Sequence, residues 1–155
     1  MSAIPETPAA RVQDLMERIA SAAGVEATVD VRAEEDGLHA EYVGDELGLL
    51  IGHHGQTIDA IQHLAYRFAV PGDGDRVSVV VDAAGYRERR ASVLRATADQ
   101  AAQTAVSRRR AVPLEAMSAL ERKVIHEYLK DRRDVETYSE GQEPSRRLVV
   151  APLVD

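Results

Sequence analysis

Residues 45–65 read DELGLLIGHHGQTIDAIQHLA, in which an apolar segment stops at Gly52-His53-His54-Gly55 and an amphipathic segment begins directly after it. Glycine has no Cβ and tolerates a positive φ, so a turn of this composition can bring backbone amides against a phosphodiester. The N-terminus of the following helix adds partial positive charge. The pattern predicts two short helices joined by a phosphate-binding loop. A tight helix-helix turn that binds no ligand is the alternative.

Composition excludes several classes of protein. The chain has 155 residues, enough for one ordinary domain or two small ones, and 45% apolar with 29% charged residues is typical of a soluble globular protein. It contains no cysteine, which excludes disulfides, thiolate zinc sites and thiol nucleophiles. No apolar run approaches the ~18 residues of a membrane span, and the N-terminal residues MSAIPETPAA lack a signal pattern. We therefore expect a cytoplasmic protein with no membrane insertion and no cofactor.

The formal charge is distributed unevenly along the chain. The net charge of −7 divides into −10 over residues 1–85 and +3 over residues 86–155. Most cations of the second half are arginines in clusters, at positions 87, 89 and 90, 108–110, 132 and 133, and 146 and 147. Such asymmetry indicates nucleic-acid contact, although arginine runs on solvated faces would give the same pattern.

The first half has the element order of a known nucleic-acid-binding fold. After a flexible tail at residues 1–10, the pattern predicts a helix that ends at Gly24, a strand hairpin over 25–43, the two helices around the glycine loop, and a strand over 76–82. The order α-β-β-α-α-β is that of a type II KH domain, here residues 11–84, and KH domains use a GXXG loop to clamp about four nucleotides. We expect the cluster of Leu49, Leu50, Ile51 and Ile58 to be chiefly core, although in a KH fold part of it would form the floor of the groove where bases lie. Ile61, Ala65 and Phe68 continue the apolar pattern after the loop at helical spacing.

The second half, residues 85–155, predicts a small α/β domain within an overall α+β protein. A helix over residues 86–107 carries an alanine-rich stripe, Pro113 interrupts the pattern, and a capping box at Ser118 starts another helix. Two strands follow, over 134–138 and 146–150. On the helix after Ser118 we expect a buried side of Leu120, Val124, Ile125 and Tyr128, and an opposite side of Arg122, His126 and Lys130.

Arg122 and His126 enclose three residues on this helix, which resembles the signature of the R-three-H domain, a small single-stranded nucleic-acid-binding module. Together with GDELGLLIGHHGQTIDAIQ, GYRERR, VETYSEG and EPSRR, the spacing closely resembles the bacterial Jag/KhpB family (SpoIIIJ-associated protein) over about residues 11–152. The resemblance implies cytoplasmic RNA binding without catalysis, and a role in post-transcriptional regulation, RNA chaperoning or cell-envelope growth. It also implies a KH-only protein as a candidate partner. Many members carry an additional N-terminal domain, whereas here we expect only a short tail before residue 11, so we carry over nothing attributed to that domain.

We expect RNA contacts from two groups of residues. These are the loop residues Gly52, His53, His54, Gly55 and Gln56, and the second-half residues Arg87, Arg90, Arg122, His126, Lys130, Arg146 and Arg147. The histidine pair of the loop has no cysteine and no spaced carboxylate-histidine motif nearby, so we expect no metal there. No nucleophile motif accompanies His126, so we expect no catalytic residue and no enzyme activity, and His126 contacts RNA, supports Arg122 or has a structural role.

The hypothesis from the sequence is a two-domain protein that binds single-stranded RNA. A protein-interaction adaptor is the alternative, in which the acidic first half docks a protein and only the second half contacts RNA. The sequence leaves the RNA targets and the oligomeric state open.

Overall fold

The computed structural model describes residue 3 and residues 5–154. These form two compact units, Met1–Glu88 and Arg89–Asp155. The first helix begins at Pro8, within the segment expected to be a flexible tail, because the Thr7 side chain accepts a hydrogen bond from the Ala10 amide and proline is favourable in a first turn. The expected flexible tail also includes residues 1, 2 and 4, which lie outside the described residues.

The first unit follows the predicted order α-β-β-α-α-β. Its elements are α1 (Pro8–Ala22), β1 (Thr28–Glu34), β2 (Gly37–Val43), α2 (Gly48–Ile51), α3 (Gln56–Ala69) and β3 (Val79–Ala83). The sheet has the order β1-β2-β3, with β2 antiparallel to β1 and parallel to β3. This confirms the predicted KH-type arrangement.

Alternation along the central strand places the core of the first unit on one face of its sheet. In β2, Leu38, Ala40 and Tyr42 are buried, and they pack with the buried sides of α1 and α3. The Tyr42 hydroxyl donates a 2.7 Å hydrogen bond to the Met16 carbonyl of α1, which fixes this helix on the sheet. Burial raises the pKa of Tyr42 well above its ordinary value.

Two apolar residues of these patterns are exposed, Leu49 before the loop and Phe68 after it. Leu49 is 70% exposed, because in the single turn of α2 it is Leu50 that faces the core, together with the preceding Leu47. Phe68 is 58% exposed, because the buried stripe of α3 continues from Ala65 to Ala69, four residues on.

The second unit contains most of one long helix and a three-stranded sheet. Its elements are α4 (Tyr86–Arg108), in which the division between the units falls, β4 (Val112–Ala116), α5 (Ala119–Leu129), β5 (Val135–Glu140) and β6 (Arg147–Pro152). The strands pair antiparallel in the order β4-β6-β5. The predicted stripe of α4 is buried at Leu94, Ala98, Ala101 and Ala105, and it packs with Ile125, Leu148 and Val150.

One strand of this unit was not predicted, and one prediction is wrong. Residues 112–116 form a strand that the sequence did not predict, and Pro113 is tolerated because β4 lies at the edge of the sheet. The expected buried side of α5 is wrong: Leu120, Val124 and Tyr128 are exposed, whereas the buried residues are Glu121, Arg122, Ile125 and Leu129. Arg122 therefore does not share an exposed side with His126 and Lys130.

No helix among the described residues is long and apolar enough to cross a membrane.

Candidate nucleic-acid interface

The glycine loop joins α2 to α3 through a single 3-10 turn over His53–Gly55. Gly52 and Gly55 have φ values of 74° and 79°, and His54 between them has a φ of 51°. Three of the four loop residues thus have a positive φ, which explains why glycine stands at both ends. The loop leaves His53 exposed.

The loop is also too closely packed for a side chain at either Gly52 or Gly55. A Cβ on Gly52 would overlap Oγ1 of Thr57, and a Cβ on Gly55 would lie 2.7 Å from Cε1 of Tyr86. Both approaches are far closer than van der Waals contact, so a side chain at either position would displace the loop. Thr57 and Tyr86 were not among the predicted site residues. Thr57 follows the loop closely in sequence, whereas nothing in the sequence indicates that Tyr86 packs against it.

The N-terminus of α3 leaves the loop with backbone donors that no side chain caps. Gly55 precedes the first turn of α3 in the left-handed conformation and offers no side-chain acceptor. The first amides of a helix have no intrahelical partner, and together with the helix dipole they favour an anion. The exposed Gln56 begins this turn. Within the turn, the Gly55 amide donates to the Gly52 carbonyl at 3.3 Å and the Gln56 amide donates to the His53 carbonyl. A phosphate would therefore be held by the backbone amides that these two hydrogen bonds leave over.

The two loop histidines stack on each other. Their ring centroids lie 3.8 Å apart, with the planes inclined by 28°. His53 is exposed and His54 is half-buried. Protonation of either ring would place a cation directly at the loop.

Arg87 donates hydrogen bonds to protein groups of the first unit, and its side chain is 31% exposed. Its Nε donates to the Val81 carbonyl at 2.8 Å, one terminal nitrogen to Asp59 at 2.8 Å, and the other to Gln62 at 3.0 Å. The Gln62 side chain in turn accepts a hydrogen bond from the Val81 amide at 2.9 Å. Arg87 therefore ties α3 to the outer edge of β3.

Arg122, the arginine of the RxxxH spacing, has a side chain only 9% exposed. It donates to the Met117 carbonyl at 2.7 Å and to Glu143 at 2.5 Å, with a longer contact of 3.4 Å to the Arg146 carbonyl. These acceptors lie before α5 and in the segment between β5 and β6. Arg122 therefore holds that segment against the start of α5.

His126 and Lys130 lie on the exposed surface of α5. The Nδ1 atom of His126 lies 2.5 Å from Thr137 Oγ1 on β5, which orients the ring. Lys130 lies 2.8 Å from Glu127, and this hydrogen bond raises the pKa of Lys130 and lowers that of Glu127. Both residues are accessible to a ligand.

The remaining predicted arginines also contact protein groups. Arg90 binds both carboxylate oxygens of Glu121, at 2.6 and 3.1 Å, which explains why Glu121 is buried on α5. Arg146 donates to the Gly141 carbonyl at 2.8 Å, and Arg147 binds Glu140 at 2.8 Å. Arg147 is exposed and Arg146 half-buried, so both retain surface that a ligand can reach.

An exposed arginine triplet was not among the predicted site residues. Arg108, Arg109 and Arg110 follow one another at the end of α4, and all three are exposed. Within the part of the chain that the structure describes, their side chains make no ion pair or hydrogen bond. The three consecutive arginines could be seen in the sequence, but the sequence did not indicate whether their side chains bind other protein groups.

Among the residues that the structure describes, one group of side chains could supply metal-binding atoms. Glu34, Asp36 and His39 place their ligand atoms within 4.8 Å of one another at the turn between β1 and β2. His39 lies 2.8 Å from Asp36, and this hydrogen bond lowers the pKa of Asp36. The histidine and its neighbouring carboxylates therefore satisfy each other at this turn.

Comparison with known proteins follows the same division of the chain. Residues 9–81 match the family model described as KhpA/KhpB, KH domain, and residues 92–152 match the R-three-H domain. The chain is 36% identical to RNA-binding protein KhpB of Lactiplantibacillus plantarum over 94% of its own length and 45% of that relative. It is 34% identical to RNA-binding protein KhpB of Clostridium symbiosum, over 82% of the chain and 57% of the relative. For RNA-binding protein KhpB of Bacillus subtilis the identity is 30%, over 88% of the chain and 66% of the relative. The chain thus spans about half to two thirds of the length of these relatives.

Proposed function

Since the chain belongs to the KhpB family, in which a KH domain is followed by an R-three-H domain, we propose that it binds single-stranded RNA without catalysing a reaction on it. The relatives named above carry RNA binding in their names. The observation that supports the proposal most is the glycine loop, whose left-handed turn opens onto the uncapped N-terminus of α3. Backbone amides there would hold phosphate oxygens whatever the base sequence.

In the first unit, phosphates would lie over Gly52 to Gly55, with His53 and Gln56 beside them. The exposed Leu49 side chain, three residues before the loop, offers an apolar surface on which a base can lie. An apolar surface beside backbone donors suits single strands, because their bases are free to leave the stack. This supports single-stranded rather than duplex RNA as the ligand.

In the second unit, the proposed contacts are the cations that remain accessible. They are Arg108, Arg109, Arg110, His126, Lys130, Arg146 and Arg147. We assign Arg87, Arg90 and Arg122 to positioning instead, because their donors are taken up by protein groups. Two modules on one chain raise each other's effective concentration for a shared strand, so neither needs to bind tightly alone.

The proposal is tested by changing the charge of the loop without changing its glycines. His53→Glu with His54→Glu would place carboxylates where we expect phosphates, and His53→Gln with His54→Gln is the matched neutral control. Fluorescence anisotropy with a labelled single-stranded RNA should show binding about tenfold weaker for the Glu pair than for the Gln pair, the equivalent of ~1.4 kcal/mol. Equal affinity of the two pairs, both folded by circular dichroism, would exclude the loop as the phosphate site.

The second candidate function is an adaptor, favoured by the −10 charge of residues 1–85. In that case the acidic KH half binds a protein and RNA contact belongs to the R-three-H half alone. The same anisotropy titration distinguishes the two functions. An adaptor would lose RNA affinity when Arg108 and Arg110 are replaced, and it would keep its RNA affinity in the loop variants.

We further infer a role in post-transcriptional regulation or RNA chaperoning in the cytoplasm, since a binder of single strands with few base-specific groups suits many transcripts. A KH-only protein is the partner that the family resemblance implies. Copurification of the chain with such a protein, with and without ribonuclease, would show whether the contact is direct.

A further inference from the structure

The backbone of the glycine loop packs on an aromatic ring from a distant part of the first unit. A Cβ added to Gly55 would lie 2.7 Å from Cε1, 3.2 Å from the hydroxyl oxygen and 3.3 Å from Cζ of Tyr86. Gly55 is buried, so the ring covers the side of the loop that faces away from solvent. The loop backbone therefore rests on the flat face or edge of one side chain, 31 positions later in the sequence.

Tyr86 is itself held in place from both sides. Its ring packs against the core of the first unit, and its hydroxyl oxygen is buried. The preceding amide, that of Gly85, donates to Glu41 at 3.2 Å. The next side chain, Arg87, is fixed by Asp59, Gln62 and the Val81 carbonyl, as described above. A ring held in this way cannot retreat to make room for another loop conformation.

We propose that Tyr86 is a positioning residue for RNA binding, which holds the glycine loop in its binding conformation through direct contact with Gly55. This inference rests on the proposed function of the loop. Phosphate recognition by backbone amides requires those amides to point the same way before the ligand arrives. Neither Gly52 nor Gly55 restricts its own backbone, so the restriction has to come from the residues packed behind them.

The expected effect of removing the Tyr86 ring on RNA affinity depends on the fraction of molecules whose glycine loop is in the binding conformation. When only a fraction of the protein is in the binding conformation, the apparent Kd rises by the inverse of that fraction. Loss of the ring would let the loop sample other conformations that its two glycines permit. The first residue of α4, the helix that leads out of the KH domain, would thus be part of the RNA site without touching RNA.

The test compares three variants of the full chain. Tyr86→Phe keeps the ring, Tyr86→Leu removes it, and Val12→Ala is a control that weakens the same core from α1, where Val12 is fully buried. We would measure affinity for a labelled oligouridylate by anisotropy, the free energy of unfolding by denaturant titration, and amide hydrogen exchange over residues 52–57. All affinities are compared under conditions where each variant is folded.

We expect the Phe variant to bind within about twofold of the wild type and the Leu variant to bind about fivefold more weakly, as for a competent fraction near one fifth. Exchange over residues 52–57 should accelerate in the Leu variant alone. Val12→Ala should lose stability and keep its affinity, because it weakens the core without freeing the loop. If Tyr86→Leu does not fold, Tyr86→Met, which fills more of the ring's space without being flat, takes its place with the same expected result.

The outcomes separate this inference from the function on which it rests. If His53→Glu with His54→Glu loses affinity while the Leu variant keeps the affinity and loop exchange of the wild type, the role of Tyr86 is wrong and the proposed function stands. If Val12→Ala loses as much affinity as Tyr86→Leu, the ring serves only global stability and the inference is again wrong. If none of the loop and ring variants changes affinity, the loop is not the phosphate site, and the adaptor function, with RNA contact through the R-three-H half alone, replaces the proposed one.

Discussion

The guanidinium of Arg122 and the carboxylate of Glu143 form an ion pair of 2.5 Å between α5 and the segment that leads into β6. The arginine end of this pair is buried, whereas Glu143 is 58% exposed at its side chain. The guanidinium also reaches the carbonyls of Met117 and Arg146. The arginine of the RxxxH spacing therefore connects three parts of the R-three-H domain.

We expect Arg122→Ala to lower the free energy of unfolding of the R-three-H domain by about 2–4 kcal/mol, because buried acceptors lose a charged donor. Arg122→Lys should not restore it, since a single ammonium cannot reproduce a planar fork with several acceptors. Denaturant titration of the full chain measures both.

The control for Arg122 is its exposed neighbour Lys123. Lys123→Ala should change the free energy of unfolding by no more than about 0.5 kcal/mol. A normal stability of Arg122→Ala together with weaker RNA binding would contradict the structural role and make Arg122 a direct RNA contact.

Alkaline pH should destabilise the KH domain through Tyr42. Burial raises the pKa of this phenol, and its hydroxyl donates to the Met16 carbonyl. A group with a raised pKa in the folded state contributes stability that is fully present below its unfolded value, about 10 for tyrosine, and is lost as the pH rises above it. We expect the free energy of unfolding of the KH domain to fall from about pH 10 upward.

Tyr42→Phe is the matched variant for this test. It should cost about 1 kcal/mol at neutral pH through the lost hydrogen bond, and it should make unfolding less sensitive to alkaline pH. Denaturant titrations at several pH values, with tyrosinate absorbance as a second signal, measure both effects. An alkaline response that persists unchanged in the Phe variant would assign the sensitivity to another group.

The interior of the KH domain could be predicted because its periodicity agrees with its burial. Alternation in β2 and the spacing of Ile58, Ile61 and Ala65 in α3 both describe what is buried. The same reasoning does not predict the buried side of α5. Glu121 is buried with Arg90, 31 positions away, and Arg122 is buried with Glu143, 21 positions away. Periodicity measures apolar side chains and cannot detect a distant partner that compensates a charge.

The same limit applies to the candidate RNA site. The glycine loop could be predicted because its chemistry lies in four consecutive residues. The support behind it could not, because Tyr86 meets Gly55 only after the sheet and helices have formed. Arginine clusters in the sequence likewise did not distinguish the bound Arg87 and Arg90 from the solvated run of three at the end of α4.

The salt dependence of RNA binding should change with the exposed arginines at the end of α4. Each phosphate neutralised on a single strand contributes about 0.7 to the slope of log affinity against log salt concentration. Arg108→Ala with Arg110→Ala should therefore make the slope shallower by up to about 1.4. Anisotropy titrations at several salt concentrations measure the slope.

A second pair controls for the loss of charge itself. Arg18→Ala with Arg32→Ala removes two exposed cations of the KH domain that lie near Asp14, Asp30 and Glu34. This pair should leave the slope unchanged. An equal change in both pairs would mean that only the net charge matters, and that the arginine run makes no defined phosphate contact.

Acidification should tighten RNA binding through the stacked histidines of the loop. Histidine side chains gain a proton between about pH 8 and pH 5, and a phosphate beside the ring favours the protonated form. By linkage, a ligand that favours protonation binds more strongly as the pH falls. The His53 and His54 rings lie 3.8 Å apart, so a positive charge on either ring would lie at the loop.

The measurement is anisotropy at about pH 6 and about pH 7.5 on the wild type, on His53→Arg with His54→Arg, and on His126→Ala. The Arg pair carries permanent charge, so it should bind more tightly than the wild type at the higher pH and lose most of the pH response. His126→Ala should retain the response, because its ring lies on α5 in the R-three-H domain. A pH response that survives in the Arg pair and disappears in His126→Ala would transfer the sensor from the loop to α5.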